Sequence, residues 1–253
     1  MHDIKCWTRM GEYHYFLDNN VSTPYTRPRV GKRLPFTPAF CKLNDKRGIP
    51  TKLGHVYYID DSPEHTLEKT GKTETLDWVV QEAIETPDTL PCDLKILFHK
   101  QKGIVFSYAK FDRKKIVYRQ FGARYIKLFP YLDGPLTEEA KTALTAMHID
   151  PGTLAIPTEL RDIVQTIAPG YHTLLSEQCR ARFNLEFKSK VISFDFKYGV
   201  SASHAANHKP YLHSPEKPQW YAIEINSCPD SIAAQTFLQY QSLPRRILRF
   251  FGF

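Results

Sequence analysis

Two short runs late in the chain place oxygen ligands inside apolar sequence. "ISFDF" carries Asp195, and "AIEIN" carries Glu224 and Asn226. An unpaired carboxylate in such a setting would be very costly, so the pattern calls for a cation nearby. Carboxylate and amide oxygens are hard donors that suit Mg²⁺. Glu224 and Asn226 are two residues apart, so on a strand both side chains point to one face. Asp195, Glu224 and Asn226 could then hold one or two magnesium ions that bridge nucleotide phosphates. The competing reading of Glu224 is a strand-end acid paired with an arginine or a lysine.

Earlier residues offer matching chemistry. Lys42 lies within the strand-like run "PAFCKL". A phosphate oxygen is a natural partner for it, with loop amides around Gly48 helping to cover the phosphates. A snorkelling edge-strand lysine is the alternative. "VVQEAI" reads either as a core strand or as a hinge. As a hinge, backbone groups near Gln81, Glu82 and Ile84 would hold the edge of an adenine ring. "DLK" sets Asp93 and Lys95 on one strand face, where Asp93 could reach ribose hydroxyls and Lys95 the phosphates. Arg113, after the next strand, could steady a transferred phosphoryl group.

These residues need elements to position them. Residues 1–37 read as an irregular N-terminal segment rich in Tyr, Pro and Arg. Strands are expected over 38–43, 53–60 and 77–84, with a polar loop, "NDKRGIPTK", between the first two. Residues 93–112 read as a hairpin turning at Gly103. "KIVYRQF" and "RYIKLF" could continue the sheet. The period then changes. "LTEEAKTALTAM" (136–147) opens on a Thr cap with acids in its first turn. "PTELRDIVQTIA" (157–168) carries an amphipathic stripe, which "HTLLSEQCRARF" extends. Strands return at 191–199 and at "QWYAIEIN". Between them runs a polar loop holding His204, His208 and His213, whose spacing is not a zinc signature. "SIAAQTFLQYQ" reads as a final helix. The fold class expected is α+β, with a largely antiparallel sheet and helices packed against it.

Composition bounds the partners. The chain has 253 residues, of which 42% are hydrophobic and 13% aromatic, enough for a sizeable core and not a disordered composition. Net charge is +7, which favours anionic partners such as nucleotides, phosphorylated substrates or acidic peptides. The basic residues are dispersed, so a solvated surface explains them as well as a nucleic-acid footprint does. No apolar run approaches 18 residues, so no transmembrane helix is expected, and the start lacks an apolar signal region. Five widely spaced cysteines and no C-x-x-C argue for buried, reduced thiols in a cytoplasmic protein. No Walker-type phosphate loop occurs.

The order of pieces resembles the ATP-grasp superfamily. It runs strand-Lys, polar loop, strand, "VVQEAI", "DLK", strand followed by Arg, helix, "FDF", loop, "EINSCP". Within the superfamily it is most similar to the TupA-like subgroup, related to the teichuronopeptide synthesis protein. The likeness spans roughly residues 36–235. It implies an ATP-grasp-like fold of two α+β subdomains with mostly antiparallel sheets sandwiching ATP. Residues 38–90 would be the small nucleotide-covering subdomain, and 91–253 the larger one with the metal site. It also implies an ATP- and Mg²⁺-dependent ligase that activates a carboxylate as an acylphosphate for attack by an amine. On that pattern Lys42 and Lys95 contact ATP phosphates, Gln81, Glu82 and Ile84 hold adenine, and Asp93 binds ribose. Arg113 stabilises the phosphoryl group, and Asp195, Glu224 and Asn226 bind Mg²⁺. Family members generally carry a substrate domain ahead of the first ATP-binding strand. They also have an earlier lysine, for which Arg27, Arg29, Lys32 and Arg33 are candidates by position. Two alternatives stand beside the ligase: a kinase on the same scaffold, and a non-catalytic basic module for nucleic acid or phospho-ligands with Tyr and Phe as stacking surface.

Overall fold

The computed structural model describes residues 6–30, 36, 38–46, 56–59, 77–85, 92–111, 124–129, 136–187, 189–201 and 218–227. Thirteen elements follow one another among them, and the class is α+β. The first is helix α1, Arg9–Asp18, followed by strand β1, Thr26–Pro28. Both lie in the segment expected to be irregular. The Thr8 side chain caps α1 by accepting from the Gly11 amide, and Asn20 just past its end takes a left-handed φ of 56°. What hid the helix is its buried face. That face includes Arg9 and Glu12 as well as Tyr13, Tyr15 and Phe16, so no clean apolar stripe shows. Arg9 Nε donates to the Leu43 carbonyl at 3.0 Å, and Lys46 pairs with Glu12 at 2.7 Å.

Strands β2 (Ala39–Leu43), β3 (Val56–Ile59) and β4 (Trp78–Glu82) join β1 in a four-stranded sheet, order β1-β4-β2-β3. All three pairings are antiparallel. Alternation splits the sheet into two faces. One carries the apolar cluster of Ala39, Cys41, Ile59, Trp78 and Val80, with Phe36 and Leu43 packed against it. The other carries Phe40, Lys42 and Gln81. The run 77–84, expected as one strand, breaks at Ala83. Strand β5, Ile84–Glu85, leaves this sheet and pairs antiparallel with β9.

The second sheet is built on the expected hairpin, β6 (Cys92–His99) and β7 (Gly103–Phe111). Gly103 has φ +73°, which a residue with a Cβ adopts only with strain, so the turn needs its glycine. Strands β8 (Arg124–Phe129), β9 (Val191–Ser201) and β10 (Gln219–Asn226) complete the order β10-β9-β6-β7-β8, with β5 on β9. Helix α2, Glu138–Ala146, is capped by Thr137, as its first-turn acids suggest. Helix α3, Thr158–Phe183, is a single 26-residue helix that continues through Pro169. Its buried stripe includes Leu160, Val164, Ile167, Tyr171 and Leu175, and Asn184 closes it in the left-handed region. The loops around Gly48 and residues 202–217, "KIVYRQF" and the C-terminal helix expected after residue 230 lie outside the described residues.

By contacts the chain divides into two compact units. The first comprises Met1–Asp93, Lys110–Arg124 and Phe196–Ile223. The second comprises Leu94–Ala109, Tyr125–Asp195 and Glu224–Phe253. No helix among the described residues is long and apolar enough to cross a membrane.

Candidate active site

In the second unit, β9 carries Asp195 between Phe194 and Phe196, which are fully buried on the opposite strand face, while the Asp195 side chain itself is 14% exposed. Its neutralising cation is Lys95 of β6, whose Nζ lies 3.1 Å from Asp195 Oδ1. The two side chains are 4% and 14% exposed. Asn226 of β10 meets the other carboxylate oxygen, its Nδ2 lying 3.4 Å from Oδ2. Which amide atom points inward is set by the hydrogen-bond network, so the Asn226 carbonyl reaches the same place after a half-turn. Glu224 stands two residues before Asn226, half-buried, on the strand face that brings Asn226 to Asp195. The structure thus brings together three of the expected residues by contact, Lys95, Asp195 and Asn226, while Glu224 lies on the same strand face as Asn226.

The donor set tests the expected magnesium. No three His, Cys, Asp or Glu side chains gather among the described residues. The set here is different: two carboxylates and one amide oxygen, all hard donors on neighbouring strands. That chemistry fits a divalent cation held by oxygen. Lys95 shows that positive charge is already accommodated at this carboxylate.

In the first unit, the buried Lys42 donates to Gln81 Oε1, and Gln81 Nε2 donates to Thr26 Oγ1 at 3.2 Å. Register explains the chain of contacts. Gln81 lies opposite Phe40 on one side and Thr26 on the other, with Lys42 two residues along β2. The Lys42 ammonium also lies 5.5 Å from the Phe40 ring centre. Flanked on both sides, Gln81 has its backbone in the ladders and offers its side chain rather than a free backbone edge. The Glu82 amide donates to the Tyr25 carbonyl at 2.8 Å, and its carboxylate accepts from the Tyr25 amide at 3.3 Å. Tyr13 is pushed up to about 12, first by burial, then by Tyr25 and Glu82. Tyr221 is raised too, again chiefly by burial, with Glu82 contributing. Glu82 is therefore a buried acid among phenols that stay protonated. Ile84 is buried and lies opposite Ser201. Asp93 pairs loosely with Lys197 of β9, at 3.7 Å.

Lys197 and Thr26 were not among the expected site residues. Lys197 follows Asp195 by two residues, a spacing that puts it on the same strand face and was open to reading. Nothing local marks Thr26, whose role depends on its pairing with a strand some fifty residues later. Arg113, Lys32, Arg33, His204, His208 and His213 lie outside the described residues. Arg27 and Arg29 flank the end of β1, and the Arg29 amide donates to the Trp78 carbonyl at 2.9 Å.

No protein-family model matches this chain, and no curated protein does. Among solved structures it is similar to a D-alanine–D-alanine ligase from Bacillus anthracis, at 12% identity over 88% of this chain and 57% of that one, TM-score 0.45. It is similar to an L-amino acid ligase from Bacillus licheniformis, at 13% identity over 91% and 43%, TM-score 0.43. It is also similar to the ATP-grasp ligase PsnB complexed with minimal precursor, at 10% identity over 87% and 52%, TM-score 0.43. The chain spans about half the length of these structures.

Proposed function

We propose that this chain is an ATP- and Mg²⁺-dependent ligase of ATP-grasp type that activates a carboxylate as an acylphosphate for attack by an amine. The observation that carries the reading is the Lys95–Asp195–Asn226 cluster with Glu224 on the same strand face. Asp195, Glu224 and Asn226 would hold the cation. When bound, magnesium and ATP would supply an electrophilic phosphoryl group whose charge is partly neutralised. Lys95, fixed by Asp195 and shielded from water, would place an ammonium against phosphate oxygens without reorganising. The roles of Lys42, Gln81, Glu82, Ile84, Asp93 and Arg113 in holding phosphates, adenine, ribose and the transferred group belong to the same proposal. Gln81 enters it through its side chain. The TupA-like subgroup rests on the order of motifs alone. A cytoplasmic setting is supported by Cys6, Cys41 and Cys179, which form no disulfide. Burial raises the Cys41 thiol to about 11, so it stays protonated.

The test is ATP turnover by Glu224→Gln. The substitution keeps the shape and removes the charge, so ADP release should fall by about a hundredfold or more while the circular dichroism spectrum stays unchanged. Turnover retained at the parent rate would sink the proposal. Product analysis separates ligase from kinase: an amide bond formed with ADP supports the ligase, and a stable phosphoester supports the kinase.

A further inference from the structure

The second unit has a groove of about 860 Å³ that the proposed reaction does not use. It lies where the β6–β7 turn, the last turns of α3 and the segment leading into β9 meet. Its volume is in the range of sites that hold a small ligand or a few residues of peptide. Lys100 and Lys190 both line it, and the Lys100 amide donates to the Lys190 carbonyl at 2.9 Å, which sets the two residues side by side. Both are exposed, so neither is held in a buried ion pair.

The deeper part is built around His172. His172, only 3% exposed, has Nε2 3.0 Å from the Ser189 carbonyl, and its ring packs edge-on against Phe187 at 5.2 Å. His99 is held below the usual histidine range by burial, then by Lys102, Lys190 and His172. His172 is lowered by burial and by Lys100.

The opposite side is mixed. Leu185 lines the groove and is 64% exposed, so its apolar side chain is available to a ligand. Arg180, Glu177 and Glu186 line the groove as well. A run of phosphates has nothing apolar to set against Leu185, whereas a peptide can offer a carboxylate to the lysines and an apolar side chain to Leu185 together.

We propose that this groove is a docking site for a peptide segment that carries an acidic residue beside a large apolar one. The acid would meet Lys100 and Lys190, and the apolar side chain would cover Leu185 and Phe187.

The test uses the full chain and three fluorescein-labelled probes followed by anisotropy at fixed salt: the peptides Gly-Asp-Leu-Glu-Phe-Gly and Gly-Lys-Leu-Lys-Phe-Gly, and a six-nucleotide single strand. The acidic peptide should bind, and the double variant K100E/K190E should weaken it by about tenfold or more while leaving ATP turnover unchanged. Leu185→Asp, at an exposed site that folding does not need, should weaken the same peptide. The proposal is overturned if the parent protein does not bind the acidic peptide, if it prefers the oligonucleotide or the lysine peptide, or if both variants bind as the parent does.

Discussion

Asp195 and Lys95 illustrate how burial changes the worth of an ion pair. At 4% and 14% exposure, removing one partner leaves the other charge poorly solvated. Asp195→Ala should therefore cost about 3 kcal/mol of stability in urea unfolding, besides its effect on turnover. The pair Lys141–Glu138 is shorter, at 2.6 Å, yet 47% and 87% exposed. Glu138→Gln should leave the unfolding midpoint where it was, because water and salt screen such a pair. His99 and His172 add a pH dependence. Both have native pKa values lowered from the unfolded value of about 6.5. The unfolded chain thus binds more protons in the acid range. Their contribution to stability is complete above about pH 6.5 and is lost as pH falls through the lowered native values. Unfolding midpoints at pH 7.5 and 5.5 measure it. His172→Gln should shrink the difference between them, and an unchanged difference would show that other groups set the slope.

At the scale of elements, close backbone approach decides where β5 can go. A Cβ added at Gly199 would meet the Glu85 carbonyl oxygen at 2.3 Å, and that oxygen belongs to the β5–β9 ladder. Gly199→Ala must therefore displace β5 or bend β9, and should destabilise by about 1–3 kcal/mol. Hydrogen exchange at Ile84 and Glu85 would show whether the ladder opens, and full protection there would contradict the steric account. Caps matter on a smaller scale. Thr8→Ala removes the acceptor for the Gly11 amide, 3.0 Å away, and should cost about 1 kcal/mol. At α3 the cap is the left-handed Asn184, whose amide reaches the Arg180 carbonyl at 3.0 Å. Arg180 and Arg182 in the last turn complement the negative end of the helix.

For the whole molecule the charge of +7 predicts attraction to any anion, so selectivity is the informative quantity. A ligand at a hundred times its dissociation constant stabilises the native state by about 2.7 kcal/mol, a shift of roughly 5–10 °C in Tm for a chain of this size. ATP with Mg²⁺ should give such a shift and ATP with EDTA a much smaller one, whereas Glu224→Gln should remove the difference. An oligonucleotide that shifts Tm more than Mg²⁺-ATP does would favour the basic binding module over the enzyme.

Local patterns were enough for most of the architecture. Apolar alternation, the Thr137 cap, Gly103 and the stripe through Leu160 and Val164 act within one or two turns of chain, so they are readable without knowing what packs against them. The α+β class and the antiparallel pairing followed. Helix α1 escaped because Arg9 and Glu12 occupy its buried face, satisfied by the Leu43 carbonyl and by Lys46, groups more than thirty residues away. The site divides in the same way. Sequence marked Asp195 and Glu224 as carboxylates in need of a cation, since burial of charge is costly wherever it occurs, and set Asn226 beside Glu224 and Lys95 beside Asp93 by strand spacing alone. Which partners they found was decided by register between strands distant in the chain. Asp195 met Lys95, and Lys42 met Gln81 thirty-nine residues on, because only sheet pairing sets which side chains share a face.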